Sequence, residues 1–197
     1  MRENLSQRTD DELMSLFGGG SNEAFETLVL RYKNALYQYI KSMVLDQGAA
    51  EDLFQEVFIT LFKSADKYQA QGKFKAWLFL MARNKVLNYF RAQNKNTTSL
   101  DQTDEEGNAF LQDTLPDTSA PVLEGLTQRE TAQAVHRALE QLPERQREIL
   151  ILRQDMSFKE IAEMLGRPLG TILADSYRAL GKLKQLLTAQ PGPEETL

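Results

Sequence analysis

One stretch near the middle of the chain constrains the architecture most. Residues 94–125 carry a single basic residue, Lys95, against seven acidic ones, with Asn94, Asn96, Thr97, Thr98, Ser99, Gly107, Pro116, Ser119 and Pro121 among them. A polar, turn-forming, acidic run of this length buries too little apolar surface to offset the entropy lost on ordering, so it reads as a flexible linker. The packed cores must then lie to either side, in residues 1–93 and 126–188. A Pro- and Gly-bearing tail, 189–197, is expected to fray. The linker also carries the chain's acidity. The net charge is −5, yet residues 1–93 hold 12 basic and 11 acidic residues and residues 126–197 hold ten of each.

Both flanks read as helical. Thr9 and Glu12 form a capping box, Gly18-Gly19-Gly20 stops that helix, and Ser21 can cap the next. There Phe25, Leu28, Val29, Tyr32 and Leu36 recur at helical spacing. A third helix is expected over 49–63, with Leu53, Val57 and Leu61 on one side, and a fourth over 74–91. Past the linker, Ala134, Val135, Ala138, Leu139 and Leu142 form another stripe. No segment alternates long enough to read as a strand. The expectation is an all-α chain of two small helical domains joined by a flexible acidic linker.

Several chemistries are excluded by count. There is no cysteine and only one histidine, His136, so thiolate and multi-histidine metal sites are ruled out. No nucleophile–base pair, Gly-rich phosphate loop or metal-ligand spacing is visible, so no enzyme, cofactor or metal is expected. No apolar run approaches the roughly 20 residues that span a bilayer. Residues 1–10 lack an apolar signal core. The expected location is cytoplasmic, without membrane insertion.

The C-terminal flank carries a sharper pattern. Pro143 opens a helix over 144–153, and Ser157 with Glu160 forms a second capping box before Ile161, Ala162, Met164 and Leu165. Gly166 ends that helix and Pro168 starts another, through Leu187. Two helices joined by a short turn containing Gly form a helix-turn-helix. An antiparallel hairpin without a DNA role fits the same spacing. The wording goes further: Leu142-Pro143-Glu144-Arg145-Gln146-Arg147-Glu148-Ile149-Leu150, Ser157-Phe158-Lys159-Glu160-Ile161-Ala162, Gly170-Thr171-Ile172 and Arg178-Ala179-Leu180. These residues resemble the promoter-binding domain of bacterial sigma-70 family sigma factors, most closely the extracytoplasmic-function (ECF) group.

The N-terminal flank resembles the same family. Ala24-Phe25 and Arg31-Tyr32 match its opening helix. Ala50-Glu51-Asp52-Leu53-Phe54-Gln55-Glu56-Val57-Phe58 matches the stretch that docks on RNA polymerase. Phe74-Lys75-Ala76-Trp77-Leu78 and Ala82-Arg83-Asn84 match the segment that melts promoter DNA. The resemblance implies a sigma factor that binds core RNA polymerase and directs promoter recognition and melting, with no catalytic residues of its own. Polymerase binding would fall to Glu51, Asp52, Gln55 and Glu56. Single-stranded DNA of the minus-ten element would meet Tyr68, Lys75, Trp77, Arg83, Asn84, Lys85, Asn88 and Arg91. The family commonly has an anti-sigma partner as well.

Residue chemistry agrees with those roles. From Lys73 to Arg91 there are five cations and no acid, interleaved with Phe74, Trp77, Phe79, Tyr89 and Phe90. Cations hold phosphates, aromatic faces receive unstacked bases, and the amides of Asn84 and Asn88 both donate and accept. Trp77 is open between core packing and base contact. The acids of 51–56 alone would read as a solvated helix face.

In the helix-turn-helix, duplex DNA would meet Ser157, Lys159, Arg167, Thr171, Asp175, Arg178 and Lys182. Here the chain departs from the family, which usually carries a Lys-Ser-Arg run where Leu173, Ala174 and Asp175 stand. Helical spacing groups Thr171, Asp175, Arg178 and Lys182 opposite Ile172, Leu180, Leu183 and Leu187, so the acid is expected to face outward. Asp can accept from cytosine N4, but it is repelled by phosphates. The alternative is therefore a helical interaction protein, or a divergent sigma factor with weakened upstream-element binding that relies on a partner for placement.

Overall fold

Helices start where side chains can satisfy the free amides of a first turn. The computed structural model describes residues 5–96 and 128–188. After a 3-10 turn at Leu5–Gln7, α1 (Asp10–Gly18) opens on the Thr9–Glu12 capping box. Ser21 caps α2 (Asn22–Val44). Asp46 caps α3 (Gln47–Lys63), accepting from the Ala49 amide at 2.6 Å, which is why this helix begins two residues before the expected start. Each such cap contributes about 1 kcal/mol. A 3-10 turn at Ala65–Lys67 precedes α4 (Phe74–Asn96), which runs on past Arg91.

The second described stretch holds α5 (Gln128–Glu140), α6 (Glu144–Leu152), α7 (Phe158–Leu165) and α8 (Leu169–Thr188). The Ser157–Glu160 capping box starts α7 as expected. Gly166 ends it with φ +64°, a left-handed conformation that costs a residue with a side chain about 1–2 kcal/mol. Three residues, 166–168, then turn the chain into α8. No strand occurs among the described residues. Residues 97–127, which hold all of the expected linker but 94–96, and the tail from 189 lie outside them.

Apolar stripes build the two bundles. Leu28, Tyr32, Leu36, Tyr39, Ile40 and Met43 of α2 are buried, as are Ala50, Leu53, Val57 and Leu61 of α3 and Phe74, Leu78, Phe79, Ala82 and Val86 of α4. In the C-terminal half Ala138, Leu142, Ile149, Leu152, Ile161, Ile172 and Ala179 are buried.

The halves are not merely tethered. Here α2 packs on α5 and α6, and α4 packs on α7. Ile149, Ile151, Leu152, Met156, Ile161 and Ala162 are continuous with the N-terminal core. α8 packs against α5, α6 and α7.

Candidate nucleic-acid and polymerase interface

The acids of α3 are displayed outward because Ala50, Leu53 and Val57 occupy the inward stripe. Glu51, Asp52, Gln55 and Glu56 are all exposed. Gln47 donates to Glu51 at 3.0 Å, and Glu56 pairs with Lys85 of α4 at 2.9 Å. Exposed pairs of this kind contribute little to stability, so the row remains available to a basic partner.

The aromatic residues before and within α4 form one stack. The Trp77 ring lies 4.9 Å from that of Tyr68 and 6.2 Å from that of Phe74, centroid to centroid. Trp77 is half-buried and packed on the core, so it takes the core role with one side still open. The Tyr68 hydroxyl donates to Asp11 of α1, and the other Asp11 oxygen accepts from the Gly72 amide at 2.7 Å. Burial, reinforced by that carboxylate, pushes the Tyr68 phenol well above its ordinary range. Asp11 thus fastens the middle and the far end of the connection between α3 and α4.

The cations of α4 reach in different directions. Arg83 Nε donates to Glu148 Oε1 of α6 at 2.9 Å, and the same oxygen accepts from the Tyr39 hydroxyl of α2 at 2.9 Å. Glu148 is 5% exposed and Tyr39 fully buried. A carboxylate withdrawn from water must be paired, and here both partners come from the other half. Burial, then the Glu148 charge, pushes the Tyr39 phenol far up. Lys75 Nζ donates to the Asp155 carbonyl at 2.8 Å, and Lys73 pairs with Glu163 at 3.0 Å. Further along α4, Asn84, Asn88 and Arg91 are exposed, with Arg91 donating to Asn88 at 3.3 Å.

In the helix-turn-helix, Ser157 and Lys159 are exposed, the Ser157 hydroxyl serving the capping box. Arg167 and Thr171 are half-buried, and Arg178 and Lys182 are exposed. Asp175 corrects the outward placement expected of it. It is 8% exposed and lies on the inward stripe with Ile172, Ser176 and Ala179. Arg167 donates to its Oδ2 and Arg178 to its Oδ1, the latter at 3.0 Å. The helix is rotated from the expected phase because small Ser176 and Ala179 face the neighbouring helices, leaving Leu180 exposed.

Two family models match the chain in order: sigma-70 region 2 over residues 28–96 and sigma-70 region 4 over residues 132–183. The RNA polymerase sigma-H factor of Pseudomonas aeruginosa is 30% identical over 178 residues, covering 89% of this chain and 92% of its own. The ECF RNA polymerase sigma-E factor of Escherichia coli K12 is 30% identical over 181 residues, covering 88% and 91%. This chain belongs to the sigma-70 family, in its ECF group. This sigma factor is also similar to the sigma factor RpoE solved in complex with the anti-sigma factor NepR from Bartonella quintana. That match has TM-score 0.65 and 26% identity, covering 85% of this chain and 98% of that one. Its fold is shared by CnrH, solved with the cytosolic domain of CnrY, at TM-score 0.65 and 24% identity over 92% and 99%.

A sigma factor directs promoter recognition and melting by core RNA polymerase. The expected site residues of this sigma factor fall on three surfaces: the acidic face of α3, the cationic length of α4, and the α7–α8 unit. Sequence reasoning missed Tyr39 and Glu148, whose pairing spans 109 residues and leaves no local signal. It also missed Asp11 as the anchor of the Tyr68 loop. No helix among the described residues is long and apolar enough to cross a membrane.

Proposed function

We propose that this sigma factor docks on core RNA polymerase through Glu51, Asp52, Gln55 and Glu56, and holds unpaired minus-ten DNA on Tyr68, Lys75, Trp77, Arg83, Asn84, Lys85, Asn88 and Arg91. Ser157, Lys159, Arg167, Thr171, Arg178 and Lys182 meet the duplex upstream. The division of labour is residues 1–93 for polymerase and minus-ten DNA, 94–125 as linker, and 126–188 for the upstream element. The protein works in the cytoplasm, is not an enzyme, and is held in check by an anti-sigma partner; a similar sigma factor is solved in complex with the anti-sigma factor NepR.

The observation that carries the reading is the acid-free run from Lys73 to Arg91, with Asn84, Asn88 and Arg91 exposed on one helix. A chain of net charge −5 cannot grip DNA by bulk attraction, so it borrows affinity from polymerase and concentrates its own cations where strands separate. Lys73, Lys75 and Arg83 are engaged by α7, by the turn before it and by α6 in the packed arrangement, so the C-terminal half must swing off α4 before DNA is held there. Nothing favours the reading as a titrating interaction protein, and the acid that raised it is turned inward.

Transcription in vitro with purified core polymerase tests the proposal. Replacing Glu51, Asp52 and Glu56 by Ala should abolish holoenzyme assembly. The Asn84→Ala, Asn88→Ala pair should assemble normally yet give fewer unpaired thymines by permanganate footprinting. Wild-type holoenzyme that initiates nowhere would refute it.

A further inference from the structure

We infer that Asp175 is a positioning residue that sets promoter specificity through Arg167 and Arg178 without itself reaching DNA. The inference rests on the reading that the α7–α8 unit meets the duplex. Asp175 lies on the inward stripe of α8, and its two carboxylate oxygens go to two different arginines. Arg167 comes from the turn before α8, and Arg178 from nearly one turn beyond Asp175. One carboxylate thereby joins the turn and the helix, the two parts of this motif that approach a groove.

The chemistry explains what such a clamp does. An arginine side chain has many rotamers, and freezing them on contact costs entropy. A guanidinium tethered through one nitrogen keeps its remaining N–H donors at a fixed angle. Reading guanine by paired bonds to O6 and N7 requires that fixed angle. The Arg178 side chain is 59% exposed, so its free edge is open to a partner. Charge works in the same direction. Two guanidiniums and one carboxylate leave a net charge of +1, so sequence-independent pull on phosphates is reduced while orientation is kept. An acid in a DNA-facing helix is then a gain in selectivity rather than a lost contact.

The test uses holoenzyme assembled from the full chain and core polymerase. The probes are a promoter fragment recovered by transcription in vitro and the same fragment with its upstream element scrambled. Asp175→Asn should lower the ratio of the two affinities about tenfold, with binding to the scrambled fragment unchanged or stronger. Asp175→Glu, which keeps the charge, should restore most of the ratio. With Arg167 and Arg178 both replaced by Ala, adding Asp175→Asn should move the ratio less than about twofold, since nothing is left to position. An unchanged ratio in Asp175→Asn overturns the inference. So does an equal loss on both fragments with a lowered melting temperature, which marks a structural residue. If the Arg167, Arg178 double variant keeps the full wild-type ratio, the upstream-element reading falls and takes the inference with it. If it loses the ratio while Asp175→Asn does not, only the inference falls.

Discussion

On α4 and at the residue before it, three cations reach across to the other half of the molecule: Arg83 to Glu148, Lys75 to the Asp155 carbonyl and Lys73 to Glu163. On α8 and the turn before it, Arg167 and Arg178 instead meet a nearby acid of α8, Asp175, while Lys182 stays exposed. The cations of the two surfaces are therefore paired differently. The α4 surface is covered by a neighbouring body, which under the proposed function must leave. The α8 surface is arranged from within and needs no rearrangement to be presented. The contrast follows from the polarity of the contacts. The Glu148 carboxylate joins helices of the two halves, whereas the Asp175 carboxylate joins a turn only to the helix that follows it.

The comparison breaks most directly at Glu148. Glu148→Ala strands the buried Tyr39 hydroxyl and the partly exposed Arg83 guanidinium, and should cost about 2–3 kcal/mol in urea unfolding. A loss under 0.5 kcal/mol, to take a rough floor for one hydrogen bond, would show that the cross-half pairing holds nothing.

Tyr39→Phe removes one donor and should cost about 1 kcal/mol. The Tyr39 phenol is raised in the folded state, so its contribution is complete below the unfolded value of 10.0 and is lost as pH climbs above it. Tyr39→Phe should therefore flatten the alkaline fall in stability. Part of the slope must remain, because Tyr32 and Tyr68 are shifted the same way.

Asn84→Ala sharpens the contrast from the DNA side. The residue is exposed, so melting temperature should hold while open-complex formation falls about threefold to fivefold, the worth of one hydrogen bond. The smallest effect is expected at Glu163. Its carboxyl is held below 4.5 by the hydrogen bond from Lys73, so the link it makes is present above that pH and lost on acidification. Glu163→Gln should change overall stability little, but should slightly raise hydrogen exchange in α7.

Much of the fold was legible because its signals are local. Thr9 with Glu12 and Ser157 with Glu160 announce helix starts within four residues, and Leu53, Val57 and Leu61 announce the inward face of α3. The same local logic put Glu51, Asp52 and Glu56 outside. It failed at α8 because large Leu180 was read as the inward residue, whereas small Ser176 and Ala179 face the bundle and carry Asp175 in with them. The packing of the two halves was not legible either. Tyr39, Arg83 and Glu148 are ordinary residues in sequence, and their meeting depends on how whole helices dock.

One distance measurement addresses the central claim, that the C-terminal half covers α4 until promoter DNA replaces it. The chain has no cysteine, so Ser15→Cys and Gln185→Cys, both at exposed positions, allow a single pair of spin labels. The free protein should give one narrow distance between α1 and α8, replaced by a different one in holoenzyme bound to promoter. The same narrow distance in both states would contradict the account.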